Sequence, residues 1–332
     1  MSADDQSSGH EFDLIATLLA PLTAHTPEAL GLKDDAAVLQ PPEGHDLILT
    51  KDAIVEGVHY LRSDPPEQIA QKLMRVNLSD LAAKGAEPLG CLLAAGWAPK
   101  TTRAWQEAFV RGLAADQEAF GLRLMGGDTV SAPGGAFFSL SAFGSVPHGQ
   151  MVQRTGAQVD DVIFVSGTIG DGFGGLQVGL HNADGLSADA CEALLTRYRL
   201  PLPRLSLGPL LRRFSHAAID VSDGLIADLG HLCATSEVGA RVRVEDVPFS
   251  DGVCEGLSKG LWSWKDLISG GDDYEILAVI PPDRALLFQQ EALAVGLSVH
   301  PIGTIVAAQD GFNVLDPEGQ YADIPHTGYQ HF

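Results

Sequence analysis

Aspartate-rich segments spread along the sequence contain the residues whose types and spacing point most directly to chemistry. Several of them also carry paired glycines or follow a short apolar run. The segments are Asp34-Asp35, Leu49-Thr50-Lys51-Asp52, Asn77-Leu78-Ser79-Asp80, Gly126-Gly127-Asp128-Thr129, Asp220-Val221-Ser222-Asp223 and Gly270-Gly271-Asp272-Asp273. Carboxylate and phosphate oxygens are the ligands that Mg²⁺ prefers, and the sequence offers no Cys/His set for zinc. If these segments converge, they predict a site for Mg²⁺ and a phosphate group.

Three of these segments also fit ordinary turns. Asp34-Asp35 is typical of a turn or a helix cap, Gly126-Gly127-Asp128 of a hairpin turn, and 270–273 of a polar turn before a strand. Glycines at such points also let a ligand approach the backbone closely. The residues alone leave both explanations open.

Asp80 falls on the inward side of a long helical pattern. Ile69 and Val76 lie on its apolar stripe, and Asp80 follows Val76 by four residues. A carboxylate on a buried stripe is costly unless it is paired, protonated or bound to a cation. A salt bridge to Arg75 or Lys84 and a metal-binding role are therefore equally open.

A strand-to-helix junction at residues 218–225 combines Asp220, Ser222 and Asp223. The start of a helix has free backbone N–H groups, so a phosphate and a carboxylate-bound metal can meet there. N-capping by Ser222 or Asp223 is the structural alternative. It accounts for one of the three residues.

A glycine-rich segment, 166–175, also follows a predicted strand and precedes a predicted helix. It lacks the pattern G-x-x-x-x-G-K-[ST], and no acidic residue ends a following strand at the spacing of a dinucleotide site. We therefore interpret it mainly as a tight strand-to-helix turn.

The elements that must position these residues alternate between helical and strand-like patterns, which is typical of α/β or mixed α+β proteins. Predicted helices cover 12–22, 66–84, 102–120, 174–181, 188–199, 204–213, 224–236 and 283–295. Predicted strands cover 46–50, 89–95, 137–146, 162–166, 217–219, 241–244, 274–280 and 299–305. A turn-like stretch at 147–150 separates two series of elements. We therefore predict two domains, 1–148 and 149–332.

Composition limits the class of protein and its partners. The 332 residues include 43 acidic and 21 basic side chains, and the formal charge of -22 disfavours nucleic acid and anionic membranes as partners. The apolar runs are too short to span a bilayer. The 4 cysteines form no C-x-x-C pair and residues 1–11 are not signal-like, which together favour the cytoplasm.

Taken in order, these motifs resemble the thiamine-monophosphate kinase family, within the superfamily that includes aminoimidazole ribonucleotide synthetase and selenophosphate synthetase. The resemblance spans almost the whole chain. Each motif is weak alone, but the ordered set is highly specific. The matching motifs are Glu11-Phe12, Asp34-Asp35, Asp52 with Glu56-Gly57-Val58-His59, Asn77-Leu78-Ser79-Asp80-Leu81-Ala82-Ala83, Gly126-Gly127-Asp128-Thr129, Arg154-Thr155-Gly156-Ala157, 219–229, 270–275 and Gly328-Tyr329-Gln330-His331-Phe332.

The resemblance implies that ATP gives its γ-phosphoryl group directly to thiamine monophosphate, with Mg²⁺, producing thiamine diphosphate and ADP. The acceptor is a phosphate whose second pKa is about 6, so no protein general base is required. Catalysis then rests on positioning and charge neutralisation. The resemblance also implies a two-domain aminoimidazole ribonucleotide synthetase-like fold, in which the N-terminal sheets of a homodimer pair into a β-barrel.

The resemblance further implies roles for individual residues. The Mg²⁺ ligands would be Asp35, Asp52, Asp80, Asp128, Asp220 and Asp223, with Thr50 and Lys51 in the adjoining segment. The first five of these aspartates would also carry catalysis. Contacts to ATP would come from Gly127, Arg154 and Ser222, and contacts to thiamine monophosphate from His59, Asp272, His326 and Tyr329.

Four positions depart from the family pattern. Lys33 and Lys51 stand where glycine and threonine are common, Asp272 replaces the commoner glutamate, and His326 stands where an aromatic residue often stacks on the substrate. These departures bear on the number of metal ions and on substrate contacts. A purine-pathway synthetase of the same superfamily and a non-catalytic Mg-nucleotide-binding regulator are the alternatives, and His59 argues against the second.

Overall fold

A computed structural model of the protein describes residues 7–324. The predicted substrate contacts His326 and Tyr329 therefore lie outside the described residues. The chain divides into two compact units. The first comprises the chain up to Leu81 together with Pro88–His148, and the second comprises Ala82–Glu87 together with the chain from Gly149 onward.

The first unit combines helices with a four-stranded sheet. The helices are α1 (Ser7–Leu14), α2 (Pro66–Ala83) and α3 (Arg103–Phe120), and short π and 3-10 turns cover Ile15–Leu19, Ala20–Thr23 and Pro27–Leu32. The strands are β1 (His45–Val55), β2 (Glu87–Trp97), β3 (Arg123–Ser131) and β4 (Phe137–Pro147). The strand order is β1-β4-β2-β3, with β1 antiparallel to β4 and β2 parallel to β3.

The two faces of this sheet differ because successive side chains of a strand point to opposite sides. Ile48 and Ile54 of β1 are buried on the face that contacts α2, whereas Leu49 is 67% exposed on the other face. The covered face also holds stacked aromatic rings, and the ring centroids of Phe109 and Phe138 lie 4.3 Å apart. This core fixes α2 and α3 against one side of β1 and leaves the opposite side open.

The second unit is larger and contains a seven-stranded sheet. Its helices are α4 (Asp171–Gly179), α5 (Ala188–Arg199), α6 (Gly208–Phe214), α7 (Leu225–Ser236), α8 (Asp251–Ser258), α9 (Trp264–Ser269) and α10 (Ala285–Ala294). Its strands are β5 (Val162–Ser166), β6 (Ala217–Asp220), β7 (Val238–Arg243), β8 (Ile276–Ile280), β9 (Val299–Ala307), β10 (Phe312–Leu315) and β11 (Tyr321–Ala322).

The strand order in this sheet is β11-β10-β7-β9-β5-β8-β6, and the central strands pair antiparallel. All five residues of β8 are buried, as expected for a central strand covered on both faces. β6 ends at Asp220 beside the start of β8, so the loops that follow β6 and precede β8 are neighbours. Among residues 7–324, no helix combines the length and the apolar character needed to cross a bilayer.

Candidate functional site

Three of the predicted metal ligands meet where β1 contacts α2. The Thr50 hydroxyl donates to Oδ2 of Asp80, and the backbone N–H of Asp52 donates to Oδ1 of Asn77 at 3.1 Å. Asn77 is buried and donates its side-chain N–H to the carbonyl oxygen of Leu73 at 2.9 Å. The buried amide therefore fixes the register between strand and helix, and with it the positions of Thr50, Asp52 and Asp80.

The structure gives Arg75 and Lys84 partners other than Asp80. Arg75 pairs with the buried Asp116, with Nε to Oδ2 at 2.6 Å and Nη2 to Oδ1 at 3.0 Å. Lys84 donates through Nζ to the carbonyl oxygen of Ala218 at 3.0 Å. The Thr50 hydroxyl is a neutral partner for Asp80, so a cation remains chemically suited to this half-buried carboxylate.

Lys51 lies on the face of β1 opposite to Asp52, because side chains alternate along a strand. It lines an open cavity of about 880 Å³ within the first unit, as do Asp35, Gly127 and Asp128. The predicted residues of this unit therefore form two groups on opposite faces of β1. Lys51 belongs to the group of Asp35 and Asp128 and not to that of its sequence neighbours.

The paired aspartates 34 and 35 lie at a bend in the chain. Oδ1 of Asp34 accepts the backbone N–H of Asp35 at 2.8 Å, and both residues are exposed. This contact is local to the pair and leaves the turn and ligand interpretations both open. Both aspartates line the cavity.

The hairpin interpretation of Gly126-Gly127-Asp128 is wrong, because these residues lie inside β3. Gly127 has a φ of 155°, and a Cβ there would lie 1.8 Å from the carbonyl oxygen of Leu93 on β2. The glycine is needed for the close pairing of β2 and β3. That pairing presents the exposed side chain of Asp128 at the cavity.

A backbone hydrogen bond favours one tautomer of His59. The N–H of Val55 donates to Nδ1 of His59 at 3.1 Å, so Nδ1 acts as an acceptor and the neutral ring carries its proton on Nε2. The buried Lys72 of α2 donates through Nζ to the carbonyl oxygen of His59 at 2.9 Å. His59 is therefore set up to act as an N–H donor through Nε2.

The junction after β6 gathers four polar residues in the second unit. Asp220 ends the strand and is buried, and the half-buried Ser222 and Asp223 follow it. The N-cap of α7 is Gly224 and no side chain caps it, so the N-capping interpretation of Ser222 and Asp223 is wrong. Instead, Oδ2 of Asp228 accepts the backbone N–H groups of Ser222 and Asp223, each at 3.0 Å.

Asp228 is a candidate site residue that reasoning from the sequence missed. Burial, followed by the nearby charges of Asp220 and Asp223, raises the pKa of Asp228 to about 8. Three acids in one buried neighbourhood repel each other, and a bound cation would relieve that repulsion. The sequence did show an acid in the first turn of a predicted helix. An acid there usually indicates only a favourable interaction with the helix dipole.

Arg154 is separated from Ser222 by the length of α7. The carbonyl oxygen of Arg154 accepts the hydroxyls of Thr235 at 3.3 Å and Ser236 at 3.4 Å, at the C-terminal end of that helix. Ser222 lies before its N-terminal end. A helix of 12 residues is about 18 Å long, so the structure does not bring these two predicted ATP contacts together.

Asp272 lies in a turn that packs against the junction after β6. Its backbone N–H donates to the carbonyl oxygen of Ser222 at 2.9 Å. The glycine-rich segment 166–175 contacts the same turn, because Gly170 and Gly172 donate their N–H groups to the carboxylate of Asp273 at 2.8 and 2.9 Å. The interpretation of this segment as a structural turn agrees with these contacts.

Within residues 7–324, no group of three or more Asp, Glu, His or Cys side chains is arranged to hold a metal ion. The two groups around β1 and the junction after β6 are carboxylate neighbourhoods, and the individual Mg²⁺ ligands stay a prediction. The donors in all three places are carboxylate and hydroxyl oxygens, which suit Mg²⁺ and not a soft metal.

Two family models match most of the chain. The N-terminal domain of AIR synthase related protein matches residues 33–146, and the C-terminal domain of AIR synthase related protein matches residues 158–315. The mixed α/β, two-domain AIR synthase-like fold expected from the sequence is thereby confirmed.

Individual relatives are similar over almost the whole chain. Thiamine-monophosphate kinase of Caulobacter vibrioides is 45% identical over 310 residues, which cover 90% of this chain and 85% of the relative. The crystal structure of thiamine-monophosphate kinase from Stenotrophomonas maltophilia is 38% identical, with a TM-score of 0.82 and coverage of 92% of this chain and 96% of that chain. The structure of AaThiL complexed with AMPPCP and TMP is 29% identical, with a TM-score of 0.77 and coverage of 95% and 96%.

Proposed function

Because this chain belongs to the thiamine-monophosphate kinase family of AIR synthase related proteins, we propose that it phosphorylates thiamine monophosphate with ATP, producing thiamine diphosphate and ADP. The observation that carries the proposal is the 45% identity to the Caulobacter vibrioides kinase over 90% of this chain. That match covers most of the chain and so extends over both units. The complex of AaThiL with AMPPCP, an ATP analogue, and TMP supports the same pair of substrates.

The reaction does not require a general acid or base from the protein. The attacking group is a phosphate oxygen that is largely deprotonated near neutral pH, because the second pKa of a phosphate monoester is about 6. The protein must hold donor and acceptor phosphates in line and neutralise the charge that collects between them. Oxygen-rich surfaces, and not a catalytic histidine or cysteine, are the groups suited to this task.

Mg²⁺ would supply the charge neutralisation between the two anionic substrates. The residues that would hold it are Asp52 and Asp80 with Thr50, Asp35 and Asp128 beside Lys51, and Asp220 and Asp223. Burial, followed by the charges of Asp220 and Asp223, raises the pKa of Asp228, and this crowding of acids supports a cation in the second unit. Lys51 would add a positive charge on the cavity side of β1.

The family resemblance implies the substrate contacts, and they stay predictions. Gly127, Arg154 and Ser222 would contact ATP, and the exposed guanidinium of Arg154 suits a phosphate. His59 would donate through Nε2 to an oxygen of thiamine monophosphate. Asp272 would contact the same substrate, as would His326 and Tyr329 in the C-terminal segment.

A homodimer is part of the proposal because one face of the first sheet carries exposed apolar side chains. Leu49 is 67% exposed, Val55 39%, and Leu92 38%. Pairing of this face with the same face of a second copy would bury these side chains and complete a β-barrel. In a two-fold symmetric interface, the same apolar patch of each copy contacts that of the other.

We place the reaction in the cytoplasm. All four cysteines are free thiols, and two of them, Cys91 and Cys233, are buried. Burial raises the pKa of both thiols to about 12, which disfavours the reactive thiolate. Unpaired, unreactive cysteines are typical of proteins from a reducing compartment.

A product assay tests the proposal. Purified protein with Mg²⁺, ATP and thiamine monophosphate should yield thiamine diphosphate, resolved by chromatography. Formylglycinamidine ribonucleotide replaces thiamine monophosphate in a parallel reaction, since a purine-pathway synthetase would act on it. Turnover of that compound without thiamine diphosphate formation would overturn the proposal. ATP binding without turnover of either compound would indicate a regulator.

A further inference from the structure

Two residues with unusual backbone conformations flank the buried Asp273. Asp272 has a φ of 71° and Tyr274 a φ of 52°, both in the left-handed region that non-glycine residues rarely adopt. Such conformations persist only where the surroundings hold them, and they cluster at functional sites. The contacts that hold the turn 272–274 in this conformation therefore bear on function.

Asp273 is the anchor between the two. Its side chain is 1% exposed, Oδ2 accepts the N–H of Gly170 at 2.8 Å, and Oδ1 accepts the N–H of Gly172 at 2.9 Å. Gly172 also allows the close approach, because a Cβ at that position would lie 2.4 Å from the carbonyl oxygen of Asp272. Both carboxylate oxygens thus bind the turn to the glycine-rich segment.

Glu275, the residue that follows the turn, is held in place by three neighbouring side chains. It is fully buried and accepts from Nη2 of Arg197 at 2.8 Å, from Nε of Arg204 at 2.7 Å and from the hydroxyl of Ser166 at 2.5 Å. Two guanidinium groups compensate its charge, so Glu275 is a fixed point in the structure. The strand β8 begins immediately after it.

The opposite side of the turn is bound to the junction after β6. The N–H of Asp272 donates to the carbonyl oxygen of Ser222 at 2.9 Å, and the N–H of Tyr274 donates to that of Val221 at 2.8 Å. The Tyr274 hydroxyl donates to Oδ1 of Asp272 at 3.2 Å. The left-handed conformations of Asp272 and Tyr274 let the backbone contact both the junction after β6 and the glycine-rich segment. The hydroxyl of Tyr274 holds the Asp272 carboxylate.

We propose that Asp273 and Tyr274 are positioning residues for substrate binding, Asp273 fixing the backbone of Asp272 and Tyr274 orienting its carboxylate. This inference rests on the proposed function. A carboxylate repels a phosphate and attracts a cation, so Asp272 is suited to the positively charged thiazolium part of thiamine monophosphate. The backbone N–H of Asp272 donates to the carbonyl oxygen of Ser222, a residue proposed to contact ATP. The glycine-rich segment thus serves as the support of an acceptor site and not as a nucleotide loop.

The first test is Tyr274→Phe, which removes one hydroxyl from a half-buried side chain. We expect the KM for thiamine monophosphate to rise roughly tenfold, the effect of losing one hydrogen bond to a charged group. The KM for ATP and the thermal unfolding midpoint should stay near those of the wild type. Tyr321→Phe is the matched control, because Tyr321 is 69% exposed on β11 of the same unit.

The second test is Asp273→Asn, with Asp184→Asn at an exposed position as its control. The asparagine amide turns an N–H towards one of the two glycine N–H groups, so one anchor bond is lost. We expect a rise in the KM for thiamine monophosphate that exceeds any rise in the KM for ATP. If this variant does not fold, Tyr274→Phe alone decides.

The outcomes separate this inference from the function it rests on. A wild-type protein that makes no thiamine diphosphate overturns the proposed function. An active wild type, with a Tyr274→Phe variant whose KM for thiamine monophosphate is unchanged, overturns only the inference. Equal rises of both KM values would also overturn it, since a merely structural loss affects both substrates.

Discussion

The side chain of Asp80 illustrates how a single residue carries the proposed chemistry. It lies half-buried on α2, and its Oδ2 accepts the hydroxyl of Thr50 from β1. A neutral hydroxyl does not compensate the carboxylate charge, whereas a divalent cation does. Asp80 should therefore matter more for turnover than for folding.

Asp80→Asn keeps the size of the side chain and removes its charge. We expect kcat to fall on the order of 100-fold or more, as for other losses of electrostatic stabilisation at a reacting centre. The thermal unfolding midpoint should change little. A variant with wild-type turnover would return Asp80 to a structural role.

Asp116→Asn is the matched contrast in the same unit. Asp116 is 1% exposed and pairs with Arg75, so this change leaves a buried charge without its counter-charge. We expect a loss of about 3–5 kcal/mol in the free energy of unfolding, with turnover per folded molecule retained. Denaturant unfolding and activity measured on the same samples separate the two residues.

His59 gives a second prediction at this scale. Because Nδ1 accepts the N–H of Val55, the neutral ring carries its N–H donor at Nε2. Glutamine places an amide nitrogen near the position of Nε2, whereas asparagine places one near Nδ1. His59→Gln should retain more affinity for thiamine monophosphate than His59→Asn. The reverse order of KM values would contradict the assigned tautomer.

The sequence identified these residues as candidates, but it did not predict which side chains surround them. Asp80 was predicted on the inward stripe of a helix, but its partner Thr50 could not be predicted because that contact joins distant segments. Lys51 was grouped with its neighbour Asp52, although strand alternation places the two on opposite faces. Asp228 was missed because its role depends on burial beside Asp220, which no local pattern reports.

At the scale of elements, one buried amide contributes to the contact between β1 and α2, beside the bond from Thr50 to Asp80. Oδ1 of Asn77 satisfies the N–H of Asp52, and the Asn77 side chain is fully buried. Without it this hydrogen bond from Asp52 is lost. The strand and the helix would then lose the contact that sets their register.

Asn77→Ala should lower the free energy of unfolding by about 1–3 kcal/mol, because it removes a buried amide and its bonds to Asp52 and Leu73. Activity should fall as well, because Thr50 and Asp80 are aligned by the same contact. Asn182→Ala, at an exposed position, should change stability by about 0.5 kcal/mol or less. Similar denaturation midpoints for the two variants would contradict this role of Asn77.

Long periodic elements were predictable and short or interrupted ones were not. The helices predicted at 66–84, 102–120 and 188–199 agree with α2, α3 and α5 within one residue at each end. β3 was taken for a turn because its paired glycines suggest a hairpin, whereas here they allow close strand pairing. α8, α9, β10 and β11 were missed, since segments of eight residues or fewer carry little periodicity.

At the scale of the whole molecule, the open face of the first sheet is the feature that the proposed dimer explains. Exposed leucine and valine side chains on one sheet face are costly in water unless a partner covers them. A sequence pattern shows alternation along a strand, but it does not show which face the helices cover. The dimer was therefore implied by family resemblance and not by the strand pattern.

Leu49→Glu should disrupt the dimer, because a symmetric interface would bury two added charges. Sedimentation should give the mass of two chains for the wild type and of one chain for the variant. Leu286→Glu is the matched control, since Leu286 on α10 is 68% exposed, nearly the same as Leu49 at 67%. A wild type that sediments as one chain would contradict the proposed assembly.

The most direct test of the central claim follows the phosphoryl group itself. Protein, Mg²⁺, thiamine monophosphate and ATP labelled at the γ-phosphate are incubated, and the products are separated. We predict that the label appears in the terminal phosphate of thiamine diphosphate, with one ADP formed for each labelled product. Label found only in inorganic phosphate, with no thiamine diphosphate, would contradict direct transfer to this acceptor.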